Sequence, residues 1–106
     1  MTFRIELTER ARADLKRLFA FLLEREAQRD DGDPDLPDRA AAAITKSLGL
    51  LEWAPFTCRK AAESPFLREL VIPFGSAGYV ALFEIEDANR VWIVAVRHQL
   101  EDDYLD

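Results

Sequence analysis

The chain has 106 residues, of which 49% are hydrophobic and 32% are charged, the composition of one ordinary globular domain. That length excludes a multidomain enzyme, and no stretch reaches the roughly 18 consecutive apolar residues that span a membrane. The N-terminus lacks the apolar core of a signal peptide. We therefore expect a single cytoplasmic domain over residues 1–106 that has no contact with a membrane.

The formal net charge of −6 is unevenly distributed along the chain. Residues 28–38 hold five acidic groups and one basic group, and residues 98–106 hold four acidic groups with no lysine or arginine. The rest of the chain therefore carries a net charge of +2. Since acidic proteins repel a nucleic-acid backbone, we do not expect the isolated chain to bind DNA directly.

The sequence contains few cysteine and histidine residues that could bind a metal ion or a cofactor. Cys58 is the one cysteine and His98 is the one histidine, so the chain cannot form an internal disulfide or the usual four-ligand zinc site. The acidic segment at 30–38 departs from the spacing of a calcium-binding loop. We therefore expect neither a metal nor a cofactor.

The first half of the chain has the pattern of one strand followed by two helices. Residues 3–7 alternate apolar and charged side chains, which is the period of a half-buried strand. Thr8 is a good N-cap for an amphipathic helix that runs to about Ala27. After an acidic loop, a second amphipathic helix begins near Pro37 and continues towards Trp53. Together the two helices predict a helical hairpin.

The second half of the chain predicts strands. Runs rich in β-branched and aromatic residues cover 66–72, 79–85 and 91–96. The segments between them are short enough for antiparallel hairpins. The predicted order is β-α-α-β-β-β, an α+β fold in which an antiparallel sheet packs against the N-terminal helical hairpin.

The central strands of this predicted sheet are apolar on both faces. In the last strand, simple alternation places Trp92 and Val96 on one side, and Ile93 and Ala95 on the other. Two helices can cover only one face of a four-stranded sheet. We therefore expect the other face to be partly bare unless the C-terminal tail, another subunit or a partner lies across it.

Four segments, taken in their order along the chain, carry a family resemblance: TERARADL (8–15), LREL (67–70), GYVALFEI (78–85) and VAVRHQLEDDY (94–104). They are similar to the RelE/ParE superfamily of type II toxin-antitoxin toxins. The last segment resembles the ParE-like, "plasmid stabilisation" branch, in which the final strand runs into an arginine-histidine pair and an acidic tail with a tyrosine.

The resemblance implies a toxin that a cognate antitoxin neutralises in a hetero-oligomer. A ParE-like toxin is expected to inhibit DNA gyrase by binding, without catalytic chemistry of its own, and this is the interpretation we favour. A RelE-like toxin would be a ribosome-dependent mRNA endoribonuclease. A third alternative is an inactive, toxin-like binding module. The shared fold does not choose among these functions.

The ribonuclease alternative would use Arg68, Arg97, His98 and Tyr104. These residues could supply the cation and the proton-transfer groups that RNA cleavage without a metal requires. However, Arg97 and His98 are adjacent, so within a strand they face opposite sides. The acidic groups around Tyr104 are expected to repel an RNA backbone. We therefore assign no catalytic residue from the sequence.

For partner binding, the sequence suggests Tyr79, Leu82, Trp92 and Tyr104. The first three belong to the apolar strands, and the amphipathic ring of Tyr104 can anchor the tail on apolar surface. We expect the antitoxin to cover some of these residues.

Overall fold

The computed structural model describes residues 2–101 and residue 104. Within that part of the chain, two helices pack on one face of a five-stranded sheet. None of the described helices is both long and apolar enough to cross a membrane. The regular elements are, in chain order, β1 (Arg4–Leu7), α1 (Glu9–Ala27), α2 (Leu36–Gly49), β2 (Arg59–Lys60), β3 (Leu67–Phe74), β4 (Ala77–Ile85) and β5 (Arg90–His98).

The strands lie in the order β1-β5-β4-β3-β2 across the sheet. The pair β1 and β5 is parallel, and the other neighbouring pairs are antiparallel. The predicted α+β fold with its helical hairpin is confirmed. The sequence pattern missed the parallel pairing of β1 and the two-residue strand β2. Alternation reports which residues are buried and not which neighbour a strand pairs with, and two residues are too few to show a period.

Thr8 closes the turn between β1 and α1. Its Oγ1 accepts a hydrogen bond from the Ala11 N–H (3.1 Å) and donates one to the Val94 carbonyl (2.9 Å). The first bond caps α1, as the sequence predicts. The second bond ties the start of the helix to β5, and α1 then packs along that strand.

The acidic loop between the helices is organised by Glu26. Its buried carboxylate accepts hydrogen bonds from the Asp33 N–H (3.1 Å) and from Arg25 Nε (3.0 Å). These bonds, in that order, lower the pKa of Glu26 below its ordinary value. A Cβ atom on Gly32 would lie 1.8 Å from the Glu26 carbonyl oxygen, so a larger residue there would require the loop backbone to move.

The second helix is shorter than the sequence suggests. As predicted, Pro37 lies in its first turn. It ends at Gly49, and a tighter 3-10 turn over Leu50–Glu52 follows before the chain reaches Trp53. The difference has a simple cause, because glycine weakens a helix and this one stands where the helical geometry changes.

A β-bulge in β5 overturns the prediction made from alternation. The register against β4 shifts between Leu82 and Phe83, so Val94 is an extra residue without a partner on that strand. Val96 therefore joins the core on the helix side, and Ala95 points to the opposite face together with Leu82. A single inserted residue reverses every side chain that follows it.

Asp14 of α1 completes this bulge. Its carboxylate is buried and accepts a hydrogen bond from the Val96 N–H (2.9 Å), while Arg17 lies 3.9 Å away. A bulge leaves backbone groups without ladder partners, and a buried N–H without an acceptor is costly. Asp14 supplies the acceptor that the strand itself lacks.

The core lies between the helices and one face of the sheet. We call the other sheet face, which points away from the helices, the open face. Side chains from both helices and from β3, β4 and β5 form the core, including Ala11, Leu18, Leu22, Ala40, Ile44, Leu48, Ile72, Ala81, Phe83, Ile93 and Val96. Their spacing along α1 and α2 matches the apolar stripes seen in the sequence.

Candidate partner-binding and catalytic sites

An apolar groove of about 540 Å³ lies between α1 and α2. Lys16 and Glu52 are the charged residues that border it. A cleft of this size and character suits apolar side chains of a ligand or partner. Most of its lining comes from the two helices: Leu15, Leu18, Phe19, Leu22, Ala40, Ile44 and Leu48. We call this cleft the helical groove.

The helical groove reaches the edge of the sheet, since Ile5 and Leu7 of β1 also line it. The N–H groups of Arg4 and Thr8 donate to carbonyls of Asn89 and Ile93 on the β5 side. Because N–H directions alternate along a strand, those of Ile5 and Leu7 point away from the sheet. An edge of this kind can accept an added strand.

On the open face, Tyr104 crosses the centre of the sheet. Its hydroxyl donates to Glu69 on β3 (2.6 Å), and its ring centre lies 5.2 Å from the guanidinium of Arg97 on β5. Strand β4 lies between β3 and β5, so the ring extends across β4. Val80 and Ala95 point to this face and are 1% and 0% exposed. The expected bare face is thus covered at its centre by Tyr104.

The pKa of Tyr104 is raised above its ordinary value of 10. Burial is the largest cause, and the Glu69 carboxylate adds to it as a hydrogen-bond acceptor and as a negative charge, while Arg97 acts in the opposite direction. The phenol therefore keeps its proton at neutral pH and donates a hydrogen bond to Glu69.

Glu101 fixes the beginning of the tail. Its carboxylate accepts hydrogen bonds from the His98 N–H (2.9 Å) and from Arg17 of α1 (3.4 Å). Its carbonyl accepts one from Arg97 Nη1 (2.7 Å). These bonds hold the turn that follows β5 in place as far as residue 101.

Arg68 holds the irregular segment that precedes β3. Its Nε donates to the Pro65 carbonyl (2.7 Å), and its Nη1 donates to the carbonyls of Phe56 (3.1 Å) and Cys58 (2.6 Å). The guanidinium also lies 5.4 Å from the centre of the Phe56 ring. These contacts direct the Arg68 side chain to the chain's own backbone.

Arg97 and His98 lie on opposite faces of the sheet. Arg97 is on the open face with Tyr104, whereas the His98 ring meets the buried Tyr79 ring edge-on at 5.5 Å, and its Nδ1 accepts a hydrogen bond from the Leu100 N–H (3.1 Å). Of the four ribonuclease candidates, the structure brings Arg97 and Tyr104 into contact. Arg68 and His98 contact other parts of the chain. The described residues contain no cluster of three potential metal ligands.

The residues suggested for partner binding are divided between two surfaces. Tyr79 is 3% exposed and lies on the helix side, where it lines the helical groove. Leu82 and Trp92 are half-buried on the open face, as is Tyr104. One partner segment could therefore not contact all four without passing around the molecule.

The helical groove itself was not predicted from the sequence. The signal was present in α1, which carries more apolar side chains than one core-facing stripe requires. Phe19, Phe21 and Leu23 are 36%, 61% and 51% exposed. Surplus apolar residues on a surface helix are typical of an interaction site.

Two helices packed on a mixed five-stranded sheet are consistent with the fold of ParE/RelE-type toxins. Residues 5–103 match the family model described as the ParE toxin of the type II toxin-antitoxin system parDE. The chain belongs to the ParE toxin family of type II toxin-antitoxin systems.

Individual relatives agree with this family. Toxin RelE1 of Caulobacter vibrioides is 32% identical over 101 residues, which are 95% of this chain and 98% of the relative. Toxin RelE3 of the same organism is 33% identical over 97 residues, 92% of this chain and 95% of the relative. A solved structure titled "Chromosomal ParDE TA system from P. aeruginosa" has a TM-score of 0.69 at 16% identity over 92% of this chain and 96% of that chain, a likeness of fold.

Proposed function

We propose that this chain is a growth-inhibiting toxin that a cognate antitoxin neutralises, and that it acts by binding DNA gyrase without catalysing a reaction. The family match supports the toxin class. The placement of the candidate catalytic residues supports inhibition by binding. Arg68 is directed to three backbone carbonyls, and His98 lies on the face opposite Arg97, so two of the four candidates are held away from the contact between Arg97 and Tyr104.

The charge distribution supports the same proposal. The acidic segments at 28–38 and 98–106 together carry a net charge of −8, against −6 for the whole chain, and Tyr104 of the second segment lies on the open face. An RNA backbone would have to approach this acidic tail, which costs electrostatic energy at moderate salt. A protein target places no such demand, because a few buried anchors are enough for affinity.

For the antitoxin, we infer docking in the helical groove. The groove is apolar, and the outward N–H groups of Ile5 and Leu7 lie beside it. A segment that adds a strand to β1 would gain backbone hydrogen bonds and could place alternate side chains in the groove. The antitoxin segment is therefore expected to carry apolar residues, and the resulting complex is a hetero-oligomer.

The second candidate is a ribosome-dependent endoribonuclease. The contact between Arg97 and Tyr104 favours it, because the guanidinium could stabilise the charge on the phosphate during RNA cleavage and the phenol could transfer a proton. In addition, two relatives bear the name RelE. This alternative requires Tyr104 to leave Glu69 before it can transfer a proton. An inactive, toxin-like binding module is the third alternative and predicts no effect on growth.

Two assays on the purified chain separate these functions. Under the proposal, the chain inhibits DNA supercoiling by gyrase, and equimolar antitoxin restores it. Under the second candidate, mRNA on translating ribosomes acquires new cuts while supercoiling proceeds. Normal growth on full induction of folded protein without antitoxin would leave the inactive module as the remaining function.

A further inference from the structure

The residues that contact Tyr104 form a candidate binding site on the open face. Glu69 accepts a hydrogen bond from the phenol hydroxyl (2.6 Å), and the Arg97 guanidinium lies 5.2 Å from the ring centre. Beneath the ring, Val80 and Ala95 provide small apolar side chains that are fully covered. This combination of an acceptor, a cation and an apolar floor is suited to an aromatic side chain with a hydrogen-bond donor.

At the other end of this site from Glu69, Arg97 can receive an acidic or carbonyl group of whatever occupies the site. Tyr104, which occupies it, belongs to a segment, 98–106, whose sequence contains four acidic residues. Arg97 already donates to the Glu101 carbonyl through Nη1, yet its shielded Nε has no hydrogen-bond acceptor among the described residues. A carboxylate or carbonyl of an incoming segment could satisfy this buried donor.

We propose that the open face is a binding site for an acidic protein segment that carries an aromatic hydrogen-bond donor, and that the chain's own tail occupies this site until such a partner displaces it. The site lies on the opposite side of the sheet from the helical groove. It is therefore separate from the inferred antitoxin-docking surface, and the two could be occupied together.

Tyr104 competes with such a partner because it occupies the same site and is tethered to it by the chain. A short tether gives Tyr104 an effective concentration on the order of millimolar, so a partner must bind more favourably or be present in excess. The free protein thus keeps its open face covered, and removal of the Tyr104 anchor makes the site available to a segment added in trans.

Fluorescence anisotropy with a labelled peptide that has the sequence of residues 99–106 tests this proposal. The full-length Tyr104→Ala chain is expected to bind this peptide at least about 10-fold more tightly than the wild-type chain, whose own tail competes. Replacing the peptide's tyrosine by phenylalanine is expected to weaken binding about 10-fold, since the bond to a charged acceptor is lost. Binding is also expected to weaken as salt is raised.

Second substitutions in the full-length Tyr104→Ala chain test whether the peptide binds at the open face. Adding Glu69→Gln is expected to remove the preference for tyrosine over phenylalanine in the peptide. Adding Phe19→Asp, on the helix side, is expected to leave peptide affinity unchanged, and far-UV circular dichroism verifies that each chain is folded. Equal affinity of the Tyr104→Ala chain for both peptides, or no gain over the wild type, would overturn the proposal. The assay requires no toxicity, so its outcome is independent of the gyrase proposal.

Discussion

The two faces of the sheet differ in what covers them and in the kind of surface that remains. The helix side is covered by two helices and still contains an apolar groove of about 540 Å³. Neither of the two described helices lies over the open face, yet Tyr104 closes its centre through polar contacts with Glu69 and Arg97. The number of helices that cover a face of the sheet therefore does not determine whether that face can bind a partner. The size and polarity of the side chains at each surface decide it.

The comparison also separates two kinds of partner. Apolar side chains and an exposed strand edge recognise an apolar segment, as inferred for the antitoxin. An arginine and a glutamate over small apolar residues recognise a charged segment with an aromatic anchor. Each surface can be altered without the other, because the sheet lies between them.

The largest expected effect concerns the helical groove. Phe19→Asp places a charge in its apolar lining, so we expect antitoxin affinity to fall at least about 30-fold, which corresponds to about 2 kcal/mol. Phe21→Asp is the matched control, because Phe21 is on the same helix and is 61% exposed but does not line the groove. Titration calorimetry measures both. Equal losses for the two variants would contradict docking in the groove.

The bulge that moves Ala95 to the open face depends on Asp14. We expect Asp14→Ala to lower the free energy of unfolding by about 1–3 kcal/mol, because the buried Val96 N–H loses its acceptor. Asp14→Asn keeps an acceptor oxygen and is expected to lose less. Urea denaturation measures both variants. If Asp14→Ala were as stable as the wild type, the bulge would not require this bond.

The third prediction concerns the contribution of Arg68 to the stability of the fold. Three of its hydrogen bonds go to backbone carbonyls, so Arg68→Ala is expected to destabilise the chain by about 1 kcal/mol. Arg68→Lys is not expected to restore this, because an ammonium cannot reproduce the planar fork. Thermal unfolding provides the measurement. Loss of toxicity in an Arg68→Ala chain of unchanged stability would instead favour a role in cleavage.

The smallest expected effect is the pH dependence of the tail contact. Burial and Glu69 raise the pKa of Tyr104, so the folded chain favours the neutral phenol. Its contribution to stability is complete below about pH 10, the pKa in the unfolded chain, and declines as the pH rises towards the folded value. The stability difference between the wild type and Tyr104→Phe is therefore expected to stay constant up to about pH 10 and to shrink as the pH is raised to about 11. Urea midpoints that keep a constant difference up to about pH 11 would contradict this assignment.

Local signals predicted the elements well. Thr8 was correctly read as a helix cap, and the apolar stripes of both helices were found, because caps and the helical period depend on residues a few positions apart. The four predicted strands were located to within about two residues, a common uncertainty for element boundaries, and β2 was missed. The bulge at Val94 escaped notice, since an extra residue in an apolar run leaves the composition unchanged.

The candidate site was less accessible to sequence reasoning. Alternation correctly predicted that Arg97 and His98 face opposite sides. The contacts of Arg68 with Phe56 and Cys58 could not be foreseen, because they depend on how an irregular segment folds back on β3. The helical groove also depends on the spacing of two helices, which no property of either helix alone reveals.

By itself, the sequence determined the kinds of elements, their order and the resemblance to a toxin family, because periodicity, caps and short motifs are properties of neighbouring residues. Tertiary structure alone decided that β1 pairs in parallel with β5, that Val96 turns into the core, and that Tyr104 meets Glu69 across 35 positions of the chain. Such contacts form only after distant segments have packed together. Their energies therefore depend on the whole fold, and no local pattern encodes them.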